Sequence, residues 1–194
     1  MRDGTAGFTL EAVAQELQLT KAALYYYFPS KSVLLFEALH AELRSEAEAI
    51  AEAVERTESG SEALRALIET VLGHYGKRMD AFRLAYLYGQ VAGPATVRPT
   101  PEMFEKVRPI NDLIYGSVQR KLEADGGAQR TRPHPRRLAF LAHMATIGLL
   151  TMKGMVEAYD DPLIHSDADL LEDLAQALEA AAGRGASRLS SPDP

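Results

Sequence analysis

The stretch from Thr9 to Leu35, TLEAVAQELQLTKAALYYYFPSKSVLL, constrains the fold more than any other. Three times in it a hydroxyl residue stands ahead of an apolar-periodic run. Thr9 precedes a run with Leu10, Val13, Ala14 and Leu17 on one side, and Thr20 precedes a run over about residues 21–27. A side-chain oxygen in that place accepts from a free N–H of the first helical turn, so each threonine marks a helix start. QLT, ending at Thr20, reads as a tight turn. Pro29 ends the second run, because the residue before a proline is pushed out of helical geometry. Ser30 then caps a long helix to about Arg56, built on Leu34, Leu35, Ala38, Leu39 and Leu43. Two short helices across a tight turn, the second carrying small and polar residues, describe a helix-turn-helix whose second helix enters the DNA major groove.

The second helix holds Tyr25, Tyr26, Tyr27 and Phe28 in a row. Four consecutive residues spread around a helical cylinder, so these rings cannot share one core. Leu24 and Phe28, four apart, point inward together. Lys21, Ala22, Tyr25 and Tyr26 then fall on other faces. Ala22 and Ala23 are small enough for close approach to base edges or thymine methyls. The tyrosine hydroxyls suit phosphate oxygens, and Lys31 adds a charged phosphate contact. Tyr27 reads as part core and part rim.

The remaining chain is helical in pattern, with no stretch alternating like a half-buried strand. TESGS, 57–61, is a break. A helix over about 62–78 carries Leu64, Leu67, Ile68, Val71, Leu72 and Tyr75 at amphipathic spacing. Asp80 is a candidate cap for AFRLAYLYGQ, and AGPATVRPTP is a loop. Thr100 with Pro101 opens a helix to about Ala124 that Pro109 should kink or split. DGGAQRTRPHP is a polar loop, and RTRPHPRR, with Arg130, Arg132, Arg136 and Arg137, reads as a solvated basic loop. Helices follow over about 136–159 and 167–182, the second capped by Ser166. The expected organisation is an all-α chain: a helix-turn-helix domain over 1–48, a helical domain over 49–183 and a disordered tail over 184–194.

The segment from Thr9 to Leu35 closely resembles the DNA-binding segment of TetR/AcrR-family transcriptional regulators. The match includes Thr9, Val13, Ala14, Thr20, Leu24, Tyr25, Tyr27, Phe28, Ser30, Lys31 and Leu34. The resemblance implies a homodimeric, ligand-responsive regulator, most simply a repressor. It would bind a palindromic double-stranded DNA operator and be released by a small-molecule effector. It implies DNA contacts from Thr9, Leu10, Thr20, Lys21, Ala22, Ala23, Tyr25, Tyr26, Tyr27 and Lys31. It implies an effector pocket, for an apolar or aromatic ligand, among the aromatic and methionine residues of the middle helices: Tyr75, Phe82, Tyr86, Tyr88, Met103, Phe104, His143, Met144 and Met152, with Tyr75, Phe82, Tyr86, Met103, Phe104, His143 and Met144 as the chosen set. It implies dimerisation through the last two helices, about 136–159 and 167–182, where Gly148 and Gly154 would let backbones approach.

Three positions depart from the family. The first helix, about four turns in the family, is reduced here to MRDGTAGFT, so the expectation is a start shortened relative to the working gene product. Gln18 stands at the turn where glycine is usual, and Ser32 where an acidic residue is frequent. Residues 1–36 carry Arg2, Lys21 and Lys31 against Asp3, Glu11 and Glu16, a local net charge of zero. DNA affinity depends on phosphate neutralisation, so weak DNA binding is expected of this chain. The competing reading is a helical dimer that binds a small molecule or protein without DNA.

Composition limits the other classes. The chain is 46% hydrophobic and 25% charged, enough for a core, and its net charge of −6 gives no whole-chain nucleic-acid signal. With no cysteine, disulfides and thiolate metal sites are excluded and a reducing cytoplasm is compatible. The five histidines, at 40, 74, 134, 143 and 165, lack metal-ligand spacing, and no cofactor is expected. No nucleophile–base pairing or Gly-rich phosphate loop points to an enzyme. The start has no apolar run of a secretory signal. Leu138–Met152 is apolar but shorter than the ~20 residues of a membrane span, and it reads as a buried helix.

Overall fold

The computed structural model describes residues 9–87, 100–126, 134–159 and 165–183. Residues 88–99, with Tyr88, the end of the expected helix AFRLAYLYGQ and most of the expected loop AGPATVRPTP, residues 127–133 of the expected loop DGGAQRTRPHP, the tail over 184–194 and the shortened entry over 1–8 lie outside them. Every regular element among the described residues is helical. In chain order these are α1 (Leu10–Glu16), α2 (Lys21–Tyr27), α3 (Lys31–Glu55), α4 (Gly60–Tyr75) and α5 (Met79–Phe82), which runs into a π-helical turn, Arg83–Leu87. Then come α6 (Pro101–Asn111), a second π-helical turn (Asp112–Gly116), α7 (Ser117–Gly126), α8 (Pro135–Tyr159) and α9 (Asp167–Gly183).

The starts follow their caps. Thr9, Thr20, Ser30, Ser59, Thr100 and Ser166 each accept a first-turn N–H on the side-chain oxygen, at 3.1 to 3.3 Å. Asp80 does not cap: it lies inside α5, whose first residue is Met79. The break after α3 is shorter than expected, since Gly60 already belongs to α4. Pro109 stays within α6, and the ladder changes register one turn later, in the π-helical turn from Asp112. A proline lacks the N–H that would close the normal bond, and the chain absorbs the misfit in a wider turn.

Contacts divide the chain into two units, Met1–Arg44 with Asp80–Val107, and Ser45–Met79 with Arg108–Pro194. In the first, Leu10, Ala14 and Leu24 form the core under α1 and α2, flanked by Val13, Phe28 and Leu34. Leu17, expected in that core, is 58% exposed: it is the residue that ends α1, where the chain turns away. On α3, Ala38 is exposed, and Leu35 with Phe36 takes the core instead. Lys106 of α6 ties to this part of α3, with Nζ 2.6 Å from Glu37 Oε1 and its carbonyl 3.2 Å from His40 Nε2.

The second unit is built around α4, which packs on α7, α8 and α9. Ala63, Leu64, Leu67, Ile68, Val71 and Tyr75 are buried along it, matched by Ala47, Ile50 and Val54 from the second half of α3. Gly60 is required by packing: a Cβ there would lie 2.6 Å from the Cα of Leu122 on α7. Arg65 fastens α4 to α9 through both oxygens of Glu172, at 2.7 and 3.3 Å. Helix α8 is long and apolar enough over Pro135–Met155 to cross a membrane by composition. It packs on α4, α7 and α9, and Leu138, Ala139, Ala142, His143, Thr146 and Leu150 are buried along it. The expectation of a buried helix holds for that face alone, because Leu141, Met144, Met152 and Met155 are exposed.

Candidate nucleic-acid interface

Helices α1 and α2 are each two turns long, too short to persist alone, so packing and caps hold them. Leu24 is 2% exposed and anchors α2 on Leu10 and Ala14 of α1. The turn between the helices passes through Gln18 at φ 54°, a left-handed conformation that side chains other than glycine rarely adopt. Hydrogen bonds from Gln18 N to Gln15 O (3.1 Å) and from Leu19 N to Ala14 O (2.8 Å) hold it there.

That anchoring directs the opposite face of α2 outward. Lys21 and Ala22 are exposed, Ala23 is half-buried, and Tyr25 is 38% exposed. Tyr26 is 81% exposed and Tyr27 70%, their rings edge to face at 5.2 Å. Tyr27 therefore departs from its expected place at the edge of the core. It lies wholly on the outer side, because Leu24 and Phe28 alone supply the inward ridge of so short a helix. Thr9 and Thr20 are exposed with their side-chain oxygens engaged as caps. Leu10 is 5% exposed, so its side chain belongs to the core and only its backbone is offered to a partner. Lys31 is half-buried at the start of α3.

One contact on this face has no counterpart in the sequence pattern. Lys21 Nζ lies 2.6 Å from Glu11 Oε1 on α1 and 5.5 Å from the centre of the Tyr25 ring. The Tyr25 hydroxyl donates to the same Glu11 oxygen at 3.3 Å. The Lys21 hydrogen bond holds the Glu11 carboxyl below its ordinary pKa, and the same bond raises that of the Lys21 ammonium. Both residues stand in the sequence, but their meeting depends on how α1 crosses α2, which periodicity does not give.

The residues expected to line an effector pocket fall in both units. Phe82, Tyr86, Met103 and Phe104 belong to the first unit, and Tyr75, His143 and Met144 to the second. Phe104 and Met144 are exposed, at 61% and 37%. Tyr75 and His143 meet on Glu46, a fully buried carboxylate of α3 that stands in the sequence inside an acidic run. Tyr75 Oη donates to Glu46 Oε2 at 3.0 Å, and His143 Nε2 lies 3.0 Å from Glu46 Oε1. Tyr115 Oη closes the chain at 2.9 Å from His143 Nδ1. Arg136 and Arg137, expected in a solvated loop, lie in the first turn of α8, beside a cavity of about 440 Å³.

Residues 1–38 match the family model described as bacterial regulatory proteins, tetR family. Solved structures share the fold across nearly the whole chain. A protein of unknown function from Rhodococcus sp. RHA1 is 19% identical with a TM-score of 0.68, over 96% of this chain and 89% of that one. A TetR/AcrR-family regulator from Thermobifida fusca is 21% identical with a TM-score of 0.58, over 91% and 88%. The TetR-family regulator PfmR from Thermus thermophilus is 22% identical with a TM-score of 0.56, over 96% and 90%. No curated protein matches the sequence.

Proposed function

We propose that this chain, which carries the TetR-type helix-turn-helix segment and fold, is a ligand-responsive transcriptional regulator that represses by binding a palindromic operator as a homodimer. The observation that carries the reading is the outer face of α2. Lys21, Ala22, Tyr25 and Tyr26 are exposed together while Leu24 locks the helix from behind. Small residues beside a lysine and tyrosine hydroxyls are the side chains that a major groove and its flanking phosphates accept.

Support for a homodimer comes from α8. Leu141, Met144, Gly148, Met152 and Met155 are exposed along it at helical spacing, and Gly148 has open space where a Cβ would be. A partner helix can approach closely there and cover the stripe. A two-fold dimer presents two recognition helices to half-sites one helical turn, or a multiple of it, apart. The effector, a small molecule, acts by favouring one of two positions of α3, which runs without interruption from Lys31 to Glu55. The reading without DNA draws on one observation: Lys21 is already paired with Glu11.

The test is fluorescence anisotropy of the full chain on labelled DNA from its own upstream region, with scrambled competitor, at two salt concentrations. Saturable binding that resists the competitor and weakens with salt is expected. Binding no tighter than to scrambled DNA at both salts sinks the regulator reading and favours the dimer without DNA.

A further inference from the structure

We infer that the cavity beside Tyr115 binds a small organic anion with an aromatic body, an arylcarboxylate in class. The inference rests on the effector reading above and names its ligand chemistry. The cavity of about 440 Å³ is lined by Tyr115, His134, Arg136, Arg137 and Phe140. That volume suits a one- or two-ring molecule.

Its walls are of two kinds. Tyr115 and Phe140 meet at 5.6 Å with their planes at 65°, an aromatic corner against which a flat ring can pack. The other side is cationic. Arg136 is answered by Asp112, 2.6 Å from its Nη2. Arg137 is exposed and forms no ion pair among the described residues. Both stand in the first turn of α8, whose dipole adds positive potential in the same place. A guanidinium with no carboxylate partner among the described residues, beside an aromatic corner, matches a ligand that joins a ring to a carboxylate.

Tyr115 also connects the cavity to α3. Glu46 accepts from Tyr75 Oη, His143 Nε2 lies 3.0 Å from its other oxygen, and Tyr115 Oη lies 2.9 Å from His143 Nδ1. The hydroxyl is therefore directed inward, and the ring face is what a ligand meets. A ligand that fixes this ring biases a hydrogen-bonded chain ending on Glu46 of α3. The anion itself is left to Arg137.

The experiment is isothermal titration calorimetry of the ligand-free full chain with 1-naphthoate, and with 1-naphthamide as its uncharged match. Saturable naphthoate binding is expected, with the amide about ten-fold weaker or worse. Arg137→Gln should weaken naphthoate by about ten-fold and leave the amide unchanged, which also reports an intact fold. Lys77→Gln, which removes an exposed charge outside the cavity lining, should change neither. The inference is overturned by no saturable naphthoate binding, by equal binding of the amide, or by equal losses in the two variants. DNA binding is measured separately without ligand. Naphthoate binding without operator binding would discard the regulator and keep the site, and the reverse result would do the opposite.

Discussion

Glu11 of α1 holds Lys21 of α2 through a 2.6 Å contact on the face proposed to meet DNA. The lysine cannot serve a phosphate and this carboxylate equally, and the carboxylate itself repels the DNA backbone. Glu11→Gln should therefore tighten operator binding several-fold. If Lys21 then reaches a phosphate, the slope of log affinity against log salt should steepen by about 0.9. The Glu11 pKa is lowered by the pair, so the pair is intact above the ordinary carboxylate range and is lost as pH falls through the lower folded value. Anisotropy titrations of both proteins over a salt series decide it. An unchanged or weaker affinity in Glu11→Gln would mean that the pair orders the interface instead of restraining it.

How much of this is legible in the sequence follows from what kind of information each feature needs. Caps and periodicity are local, so Thr9, Thr20, Ser30, Thr100 and Ser166 mark helix starts in the chain as they do in the structure. The inward ridge of Leu24 and Phe28 is equally local. Glu46 is different. Its partners Tyr75, 29 residues away, and His143, 97 residues away, arrive from elsewhere in the chain, and although Glu46 shares a helical face with the buried Ile50 and Val54, nothing in SEAEAIAEAVE shows what would satisfy a carboxylate there. The aromatic and methionine residues of the middle helices are legible as a residue type, but which of them share a lining is not a local property, and they fall in both units. Arg136 and Arg137 look like loop residues because Pro133 and Pro135 resemble breakers, whereas Pro135 is the first residue of α8, where its missing N–H is no loss.

Gln18 gives a stability prediction. At φ 54° it bears the steric cost of a left-handed residue with a Cβ. Gln18→Gly should raise stability by about 0.5–1 kcal/mol, the relief of strain exceeding the added freedom of the unfolded chain. Gln18→Val should lower it, since a β-branched residue tolerates this region least. Paired thermal and urea melts measure both. Equal stability of the three proteins would show that the turn relaxes when residue 18 changes.

Tyr115 gives a pH prediction. Burial, helped by the charge of Glu46, pushes its hydroxyl up to about 12 from an ordinary value near 10. The unfolded chain then releases this proton first. Between about pH 10 and 12 the folded state holds more protons than the unfolded one, so stability falls as pH rises. The loss approaches roughly 2–3 kcal/mol by the top of that window. Denaturant melts of the wild type and Tyr115→Phe across the window isolate the effect, because the variant lacks this titration. Ultraviolet titration should also show one late-ionising tyrosine fewer in Tyr115→Phe than in the wild type. Parallel pH profiles for the two proteins would rule out a Tyr115 hydroxyl held protonated by the fold.

The exposed stripe on α8 gives the last prediction. Met152 and Leu141 lie on one face, 56% and 47% exposed, while Leu138, Ala142 and Leu150 on the other face are buried. A glutamate at position 152 or 141 should leave the fold of the single chain intact, since neither side chain supports its core. In a dimer joined through this stripe, each substitution removes roughly 1–2 kcal/mol of apolar burial and places a charge in an apolar contact. The doubly substituted chain, Leu141→Glu with Met152→Glu, should then weaken self-association by about a hundred-fold or more. Light scattering after size exclusion should show it shift from dimer to monomer mass at micromolar concentration, with an unchanged helical circular dichroism spectrum. Operator binding should fall with it, because a lone recognition helix loses the second half-site. A dimer mass that survives both glutamates would place the interface elsewhere on the chain.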